Sequence, residues 1–231
     1  MKDIILVTSG KGGVGKSTVS SLLAIKLSNK NKVLLIDADP GLTNLNLIFN
    51  VNSSLHDIYD VVKGICNLED ALIKVRDKLI LLNLYQSIDL TKNSEYLLES
   101  IIYYLKNDFD YIIIDSPAGI DESFTNCLKV SSRVIIVLND ELTSYEDARK
   151  VRRLCKLHSK NKIIYVMNRF NDKESFKEYI KTRVNYYLCD NNLFYINQIS
   201  GSIYRKYRIL SYQKDFINLC NQVIKTSTIV F

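Results

Sequence analysis

Residues 4–18 read IILVTSGKGGVGKST, an apolar run followed by a loop with four glycines and two lysines. Gly10, Gly15, Lys16 and Ser17 meet the spacing Gly-x-x-x-x-Gly-Lys-Ser of a phosphate-binding loop between a buried strand and a helix. Glycines let backbone N–H groups turn towards an anion, and the helix presents its positive end to it. In this pattern Lys16 neutralises the β- and γ-phosphates, and the Ser17 hydroxyl ligates Mg²⁺. A glycine-rich turn without a ligand is the weaker interpretation, because the strand, loop and helix signals agree.

Acidic side chains follow two further apolar runs, VLLID at 33–37 and YIIID at 111–115. In a parallel sheet the carboxyl ends of the strands share one edge with the phosphate loop, so we expect Asp37, Asp39 and Asp115 near the phosphates. Acids beside a phosphate site organise Mg²⁺ and water. For Asp37 and Asp39 the alternative is that they only end a strand and open a turn.

Strand-like and helix-like patterns alternate along the chain. The predicted strands are 4–8, 33–37, 79–84, 111–115, 133–138, 162–167 and, more weakly, 194–199. The predicted helices are 19–27, 95–106, 121–130, 144–157, 174–189 and 212–225. This alternation predicts an α/β fold with a mostly parallel twisted sheet and helices on both faces. Together with the phosphate-binding loop, it predicts a single P-loop NTPase domain over residues 1–231.

The composition excludes several classes of protein. The chain has 231 residues, 47% of them hydrophobic and 24% charged, which is ordinary for a globular protein. No apolar run approaches the ~18 residues of a membrane span, and no signal peptide is recognisable, which predicts a cytoplasmic location. The five cysteines are scattered without a Cys-x-x-Cys pair, which disfavours a zinc or iron–sulfur site.

The net charge of +6 raises the question of a nucleic-acid or anionic-membrane partner. The local cluster of basic residues is RKVRRLCK at 149–156. On a helix these side chains are expected to spread over a broad polar face. This favours a solvated surface over a binding surface.

The phosphate loop resembles the deviant Walker A loop of the MinD/ParA family of ATPases, in which a second lysine, here Lys11, follows the first glycine. In that family this lysine reaches across a dimer interface to the partner's nucleotide, so the resemblance implies a homodimer that forms with ATP. It also implies contacts to ATP from the whole loop: Gly10, Lys11, Gly12, Gly13, Val14, Gly15, Lys16, Ser17 and Thr18. From the residues alone, Lys11 could equally serve only to raise the local positive potential.

Further motifs extend the resemblance over residues 1–170. The stretch DADPGLTNL at 37–45 is similar to the family's second signature, which implies that Asp39 positions the attacking water and that Asp37 supports the metal shell. The stretch DSPAGI at 115–120 is similar to the MinD branch of the family, and its acid, Asp115, would hold Mg²⁺ together with Ser17. Lys11, Lys16 and Asp39 are then the expected catalytic residues.

Two further segments carry expectations from the family. The tripeptide Met167-Asn168-Arg169 resembles the family's Val-Asn-Arg, which implies that Asn168 contacts adenine and that Arg169 lies beside it. From the residues alone, a strand-end turn at Asn168 is about equally favoured. Asp147 falls where the family has an acid tied to the dimer and its activator.

The resemblance implies a Mg²⁺-dependent ATPase switch in division-septum site selection, with a MinE-like activator as a partner. MinD proteins end in a basic amphipathic helix that inserts into the membrane, whereas the tail TSTIVF at 226–231 has no cation and is too short for one. A peripheral contact with the inner face of the cell membrane therefore stays open. The alternatives are a ParA-like DNA-partition ATPase, disfavoured by SPAG at 116–119, and a flagellar-number regulator of the same fold.

Overall fold

A computed structural model describes residues 3–39, 44–56, 58–84, 94–117, 119–160, 162–170, 174–188, 190 and 192–226. Its strands are β1 (Asp3–Thr8), β2 (Val33–Asp37), β3 (Ile73–Arg76), β4 (Leu79–Asn83), β5 (Tyr111–Asp115), β6 (Arg133–Leu138), β7 (Ile163–Phe170) and β8 (Leu193–Asn197). They form one sheet in the order β3-β4-β2-β5-β1-β6-β7-β8. The pairing is parallel except between β3 and β4.

Helices cover both faces of the sheet. They are α1 (Lys16–Ser28), α2 (Asn44–Phe49), α3 (Ile58–Val62), α4 (Ser94–Leu105), α5 (Glu122–Val130), α6 (Leu142–Leu157), α7 (Glu174–Leu188), α8 (Ile203–Leu210) and α9 (Lys214–Thr226), with a 3-10 turn at Leu68–Ala71. Successive residues of a strand face opposite sides of the sheet. In β1, Leu6 joins the hydrophobic cluster under α3 to α7, whereas Ile5 and Val7 join the cluster under α1, α2, α8 and α9. The predicted fold class is confirmed.

The seven predicted strands and six predicted helices are all present, and their ends differ from the predicted ends by at most three residues. The prediction missed β3, α2, α3 and α8. The first three have six residues or fewer, too short to show a helical or alternating period. The last helix was predicted to begin two residues too early, because Tyr212 and Gln213 precede α9. Phe216, Leu219 and Val223 within α9 are buried, whereas Tyr212 is 84% exposed.

A buried ion pair closes the amino-terminal edge of the sheet. Arg133, at the start of β6, and Asp3, at the start of β1, are 1% and 6% exposed. The guanidinium donates to Asp3 Oδ2 from Nη2 at 2.6 Å and from Nε at 3.0 Å. Its Nη1 donates to the carbonyl of Gln222 at 3.1 Å, so the pair also fastens α9 to the sheet.

We expect Arg133→Ala to lower the free energy of unfolding by about 3–5 kcal/mol, because the Asp3 carboxylate then stays buried without the guanidinium that neutralises its charge. Urea denaturation followed by circular dichroism would measure the loss. The double variant Asp3→Asn/Arg133→Met removes both charges and should recover part of it. Equal stability of the single and double variants would contradict this account.

Candidate nucleotide-binding site

The loop between β1 and α1 is enclosed by backbone and side chains on two sides. Gly13 and Gly15 have φ angles of +76° and +96°, which side-chain-bearing residues rarely adopt. A Cβ atom at Gly15 would lie 2.2 Å from Asn168 Nδ2, and one at Gly10 would lie 2.5 Å from Asp147 Cβ. Glycine is therefore required at both ends of the loop, where it passes β7 and α6. Between these ends, Gly12 and Gly13 are exposed and Val14 is buried.

The amino terminus of α1 is prepared for an anion. Gly15 precedes the helix in a left-handed conformation without a side-chain cap, and the first turn contains no acid. The first N–H groups of α1 and its positive end are therefore available to phosphate oxygens. Lys16 begins the helix and is only 7% exposed, while Ser17 and Thr18 follow in the same turn and are partly exposed.

Two buried carboxylates lie side by side where β2 and β5 end. Asp37 and Asp115 are register partners, 3% and 1% exposed. Asp115 accepts a hydrogen bond from the Ser17 hydroxyl and, at 2.9 Å, one from the Ser20 hydroxyl. Asp37 accepts backbone N–H bonds from Asp39 at 3.2 Å and from Leu45 at 3.4 Å. Ser20 was not predicted as a site residue, although it stands one helical turn after Lys16.

Burial makes the charged forms of these acids costly. It raises the pKa of Asp37 to about 7, with a further increase from the charge of Asp115. Burial also raises the pKa of Asp115 to about 6, against the hydrogen bond from Ser17 and the charge of Lys16. The pKa of Asp39 is raised by its partial burial, against the attraction of Lys16. A divalent cation would relieve the two buried charges.

This set of groups fits Mg²⁺ better than a metal held by protein side chains alone. In the described part of the chain, no group of three or more His, Cys, Asp or Glu is placed to hold a metal ion. Mg²⁺ is commonly bound by one or two carboxylates, with phosphate oxygens and water completing its shell. Ser17, Asp37 and Asp115 supply the hydroxyl and the carboxylates on the floor of the loop.

Lys11 points away from that floor, towards the start of α6. Its ammonium pairs with the Glu141 carboxylate and lies 3.3 Å from Thr143 Oγ1, with 37% of the Lys11 side chain exposed. The hydrogen bond from Lys11 lowers the pKa of Glu141. Lys11 and Lys16 thus lie on different sides of the loop, one paired at the surface and one buried. The contact residues Glu141 and Thr143 were not predicted, because nothing local in sequence links them to residue 11.

The expected adenine residue braces the loop. Asn168, 6% exposed at the end of β7, donates from Nδ2 to the Val14 carbonyl at 2.8 Å. Arg169 has a φ of +57° and points outward, at an irregularity in the pairing of β7 with β8. A cavity of about 360 Å³ adjoins both residues, lined by Asn139, Asp140, Glu141, Met167, Asn168, Arg169, Phe170, Ile180 and Gln198. Two parts of the predicted motifs, residues 40–43 and 118, lie outside the described residues.

Comparison with known proteins assigns this site to a family. The family model described as "AAA domain" matches residues 2–167. The septum site-determining protein MinD of Thermotoga maritima is 41% identical over 179 residues, 74% of this chain and 65% of that protein. This chain belongs to the MinD/ParA family of P-loop ATPases.

Solved structures of MinD/ParA proteins share the whole fold. MinD of Pyrococcus horikoshii, solved with Mg-ADP, superposes with a TM-score of 0.79 at 26% identity, covering 99% of this chain and 98% of that one. MinD in the MinC:MinD complex of Aquifex aeolicus gives 0.76 at 29% identity, covering 99% and 98%. The matched segments span 58–65% of the length of the first curated relatives.

In the described residues, no helix is both long and apolar enough to cross a membrane. Residues 227–231, most of the tail in question, lie outside those residues.

We expect Asp115→Asn to stabilise the nucleotide-free protein in EDTA at pH 8, by roughly 1–3 kcal/mol. Because the folded pKa of Asp115 lies above that of the unfolded chain, its ionisation weakens the fold as the pH rises from about 4 through 6. The gain should therefore shrink towards pH 5, which thermal melts at both pH values would show.

Asp77→Asn, at a carboxylate that is 96% exposed, is the matched control and should change stability little at either pH. A gain from Asp115→Asn that is equal at pH 5 and pH 8 would show that the burial of charge is not its cause.

Proposed function

We propose that this chain is a Mg²⁺-dependent ATPase whose ATP-bound homodimer acts as a positional switch in division-septum site selection. The observation that carries the proposal is the pair of lysines on one phosphate loop, Lys16 buried at the start of α1 and Lys11 half-exposed at the surface. The names of the curated relatives support the cellular role, and the Mg-ADP bound to the Pyrococcus protein supports the ligand.

In the proposed site, the residues of this chain bind and orient the substrate. The loop N–H groups and Lys16 bind the β- and γ-phosphates, and Ser17, Asp37 and Asp115 would hold Mg²⁺. When bound, Mg²⁺ neutralises charge on the phosphate oxygens. Asp39 orients the water whose oxygen bonds to the γ-phosphorus, while the bond from that phosphorus to the bridging oxygen of ADP breaks. Most of the acceleration would come from positioning and charge neutralisation.

Dimerisation is the proposed role of Lys11. In the single chain its ammonium is held by Glu141 and Thr143, both exposed at the mouth of the site. An exposed ion pair of this kind is weak, so a multiply charged phosphate on the partner subunit's nucleotide can take the place of Glu141.

The switch would act in the cytoplasm, peripheral to the inner face of the membrane. A MinE-like activator is the proposed partner, and the MinC:MinD complex shows one neighbour bound to another protein.

Lys16→Ala and Lys11→Ala should have different effects. Loss of the buried Lys16 removes charge-assisted hydrogen bonds to phosphate, so we expect ATP affinity to fall about 10- to 100-fold. Lys11→Ala should keep ATP affinity within a few-fold but abolish ATP-dependent dimers. Calorimetry and sedimentation velocity would measure the two properties. If Lys11→Ala still dimerises with ATP, the proposed role of Lys11 is wrong.

Glu141→Gln should strengthen the ATP-dependent dimer about two- to five-fold, because Lys11 no longer has to leave an intramolecular carboxylate. The monomer–dimer constant from sedimentation equilibrium in Mg-ATP is the measurement. Glu146→Gln, which breaks the pair with Arg149 on the same helix, is the matched control and should have little effect. A weaker dimer in Glu141→Gln would contradict the competition between Glu141 and the partner's phosphate.

A further inference from the structure

Asn83 ends β4 in line with the two buried acids of the site. It is the register partner of Asp37, which in turn is the register partner of Asp115. Register partners project to the same face of a sheet, on strands about 4.8 Å apart. Asn83 is 5% exposed, and a buried amide needs partners for its polar atoms. Its contacts therefore belong to the surroundings of Asp37.

The partner of Asn83 is a second buried amide, on α2. Asn83 Nδ2 donates to Asn46 Oδ1 at 3.0 Å, and Asn46 is 4% exposed. Asn83 Oδ1 has no donor in the part of the chain that the structure describes, so the bond to Asn46 sets the orientation of this amide. Asn46 Nδ2 donates to Ser53 Oγ at 3.2 Å, and the Asn46 carbonyl accepts from the Val51 N–H group at 3.0 Å. Asn46 thus joins α2 to the end of β4 and to the segment that follows the helix.

Helix α2 depends on such contacts for its position. It has six residues, fewer than the ~12–15 at which an isolated helix becomes even marginally stable in water. Leu45 and Phe49 bury one side of it in the hydrophobic cluster under α1. Apolar packing is non-directional, so it restricts the rotation of a short helix only loosely. A hydrogen bond between two buried amides has a preferred distance and angle, so it fixes α2 more narrowly.

The start of α2 contacts the acid that is expected to support the metal. The Leu45 N–H group donates to Asp37 Oδ2 at 3.4 Å, and the Asp39 N–H group donates to Asp37 Oδ1 at 3.2 Å. Leu45 precedes Asn46 in the same helix, so a shift of α2 moves one of the two donors that orient the Asp37 carboxylate. Loss of groups that orient metal ligands typically costs about 10- to 100-fold in metal affinity or activity.

We propose that Asn83 is a positioning residue of the Mg²⁺ site. Its amide fixes Asn46 and with it α2, and the Leu45 N–H group then holds the Asp37 carboxylate in the orientation that the cation needs. This role rests on the proposed Mg²⁺-dependent function. It extends the site to β4, a strand that carries none of the expected site residues.

Titration calorimetry with ADP, in Mg²⁺ and in EDTA, tests this role. The ratio of the two association constants is the gain that the cation provides, and ADP avoids both hydrolysis and the expected ATP-dependent dimer. Asn83→Leu keeps the approximate size of the side chain but cannot donate to Asn46. We expect its ADP affinity in EDTA to stay within about twofold of that of the parent chain, and the gain from Mg²⁺ to fall about tenfold.

A second variant covers the case in which the unpaired Asn46 amide destabilises Asn83→Leu. Asn46→Leu/Asn83→Leu replaces both amides by apolar side chains, which can leave the stability nearly unchanged. Because the two residues act through one hydrogen bond, both single variants and the double variant should lose the gain from Mg²⁺ by the same factor. A loss in the double variant equal to the product of the single losses would show that the residues act separately, and the proposal would be wrong.

Asn192→Leu is the matched control. Asn192 Nδ2 donates to the Ile163 carbonyl at 2.8 Å at the start of β7, on the edge of the sheet opposite to the site. Because it lies far from the site, its gain from Mg²⁺ should stay within about twofold of that of the parent chain. An equal loss in this control would reduce the effect of Asn83→Leu to lost stability and overturn the proposal.

The failure of this role and the failure of the proposed function give different results. If the parent chain and Asn83→Leu show the same gain from Mg²⁺, the positioning role is wrong and the Mg²⁺-dependent function stands. A parent chain that binds ADP no better in Mg²⁺ than in EDTA would instead contradict that function, and the positioning role with it.

Discussion

The parallel register of β2, β5 and β1 is the constraint on which the site depends. It sets Asp37 beside Asp115 and Asp115 beside Val7, so the two acids and the start of the phosphate loop meet at one edge of the sheet. A shift of one residue in any of these pairings would turn an acid from one face of the sheet to the other. The fully buried apolar runs on both sides of the central strands oppose such a shift. The hydrophobic core therefore positions the charges.

The buried acids that form the site also destabilise the nucleotide-free protein. Burial of Asp37 and Asp115 raises both pKa values, so the nucleotide-free protein carries two carboxylates whose ionisation opposes folding near neutral pH. Lys16, only 7% exposed, gives partial compensation, and the Ser17 and Ser20 hydroxyls add hydrogen bonds. A site with this balance gains when a phosphate and a divalent cation arrive together, because each neutralises charge that the fold has buried. Ligand affinity and the instability of the nucleotide-free state thus have one physical origin.

The sequence predicted the parts that depend on local pattern. The central strands were predicted because fully buried parallel strands are continuous apolar runs. The phosphate loop was predicted because its glycines occur at the spacing that the backbone of such a loop needs. The contact of Lys11 with Glu141, 130 positions apart, has no local signal. The hydrogen bond from Asn168 to the Val14 carbonyl also has no local signal, since Asn168 was expected to contact adenine and not the phosphate loop. The cluster of basic residues at 149–156 was visible in the sequence, and the structure places it on α6.

Helix α6 connects features that would otherwise be independent. Its first turn receives Lys11 through Glu141 and Thr143, and Asp147 in its second turn approaches Gly10 so closely that no side chain fits there. The cluster of basic residues at 149–156 begins two residues later. A helix of 16 residues is about 24 Å long and moves as a unit, because Tyr145, Val151 and other buried residues fix one side of it to the sheet. A change in the loop that displaces Asp147 must therefore move or strain the whole helix. The same packing links the phosphate loop to the charged surface that begins about half a turn further along α6.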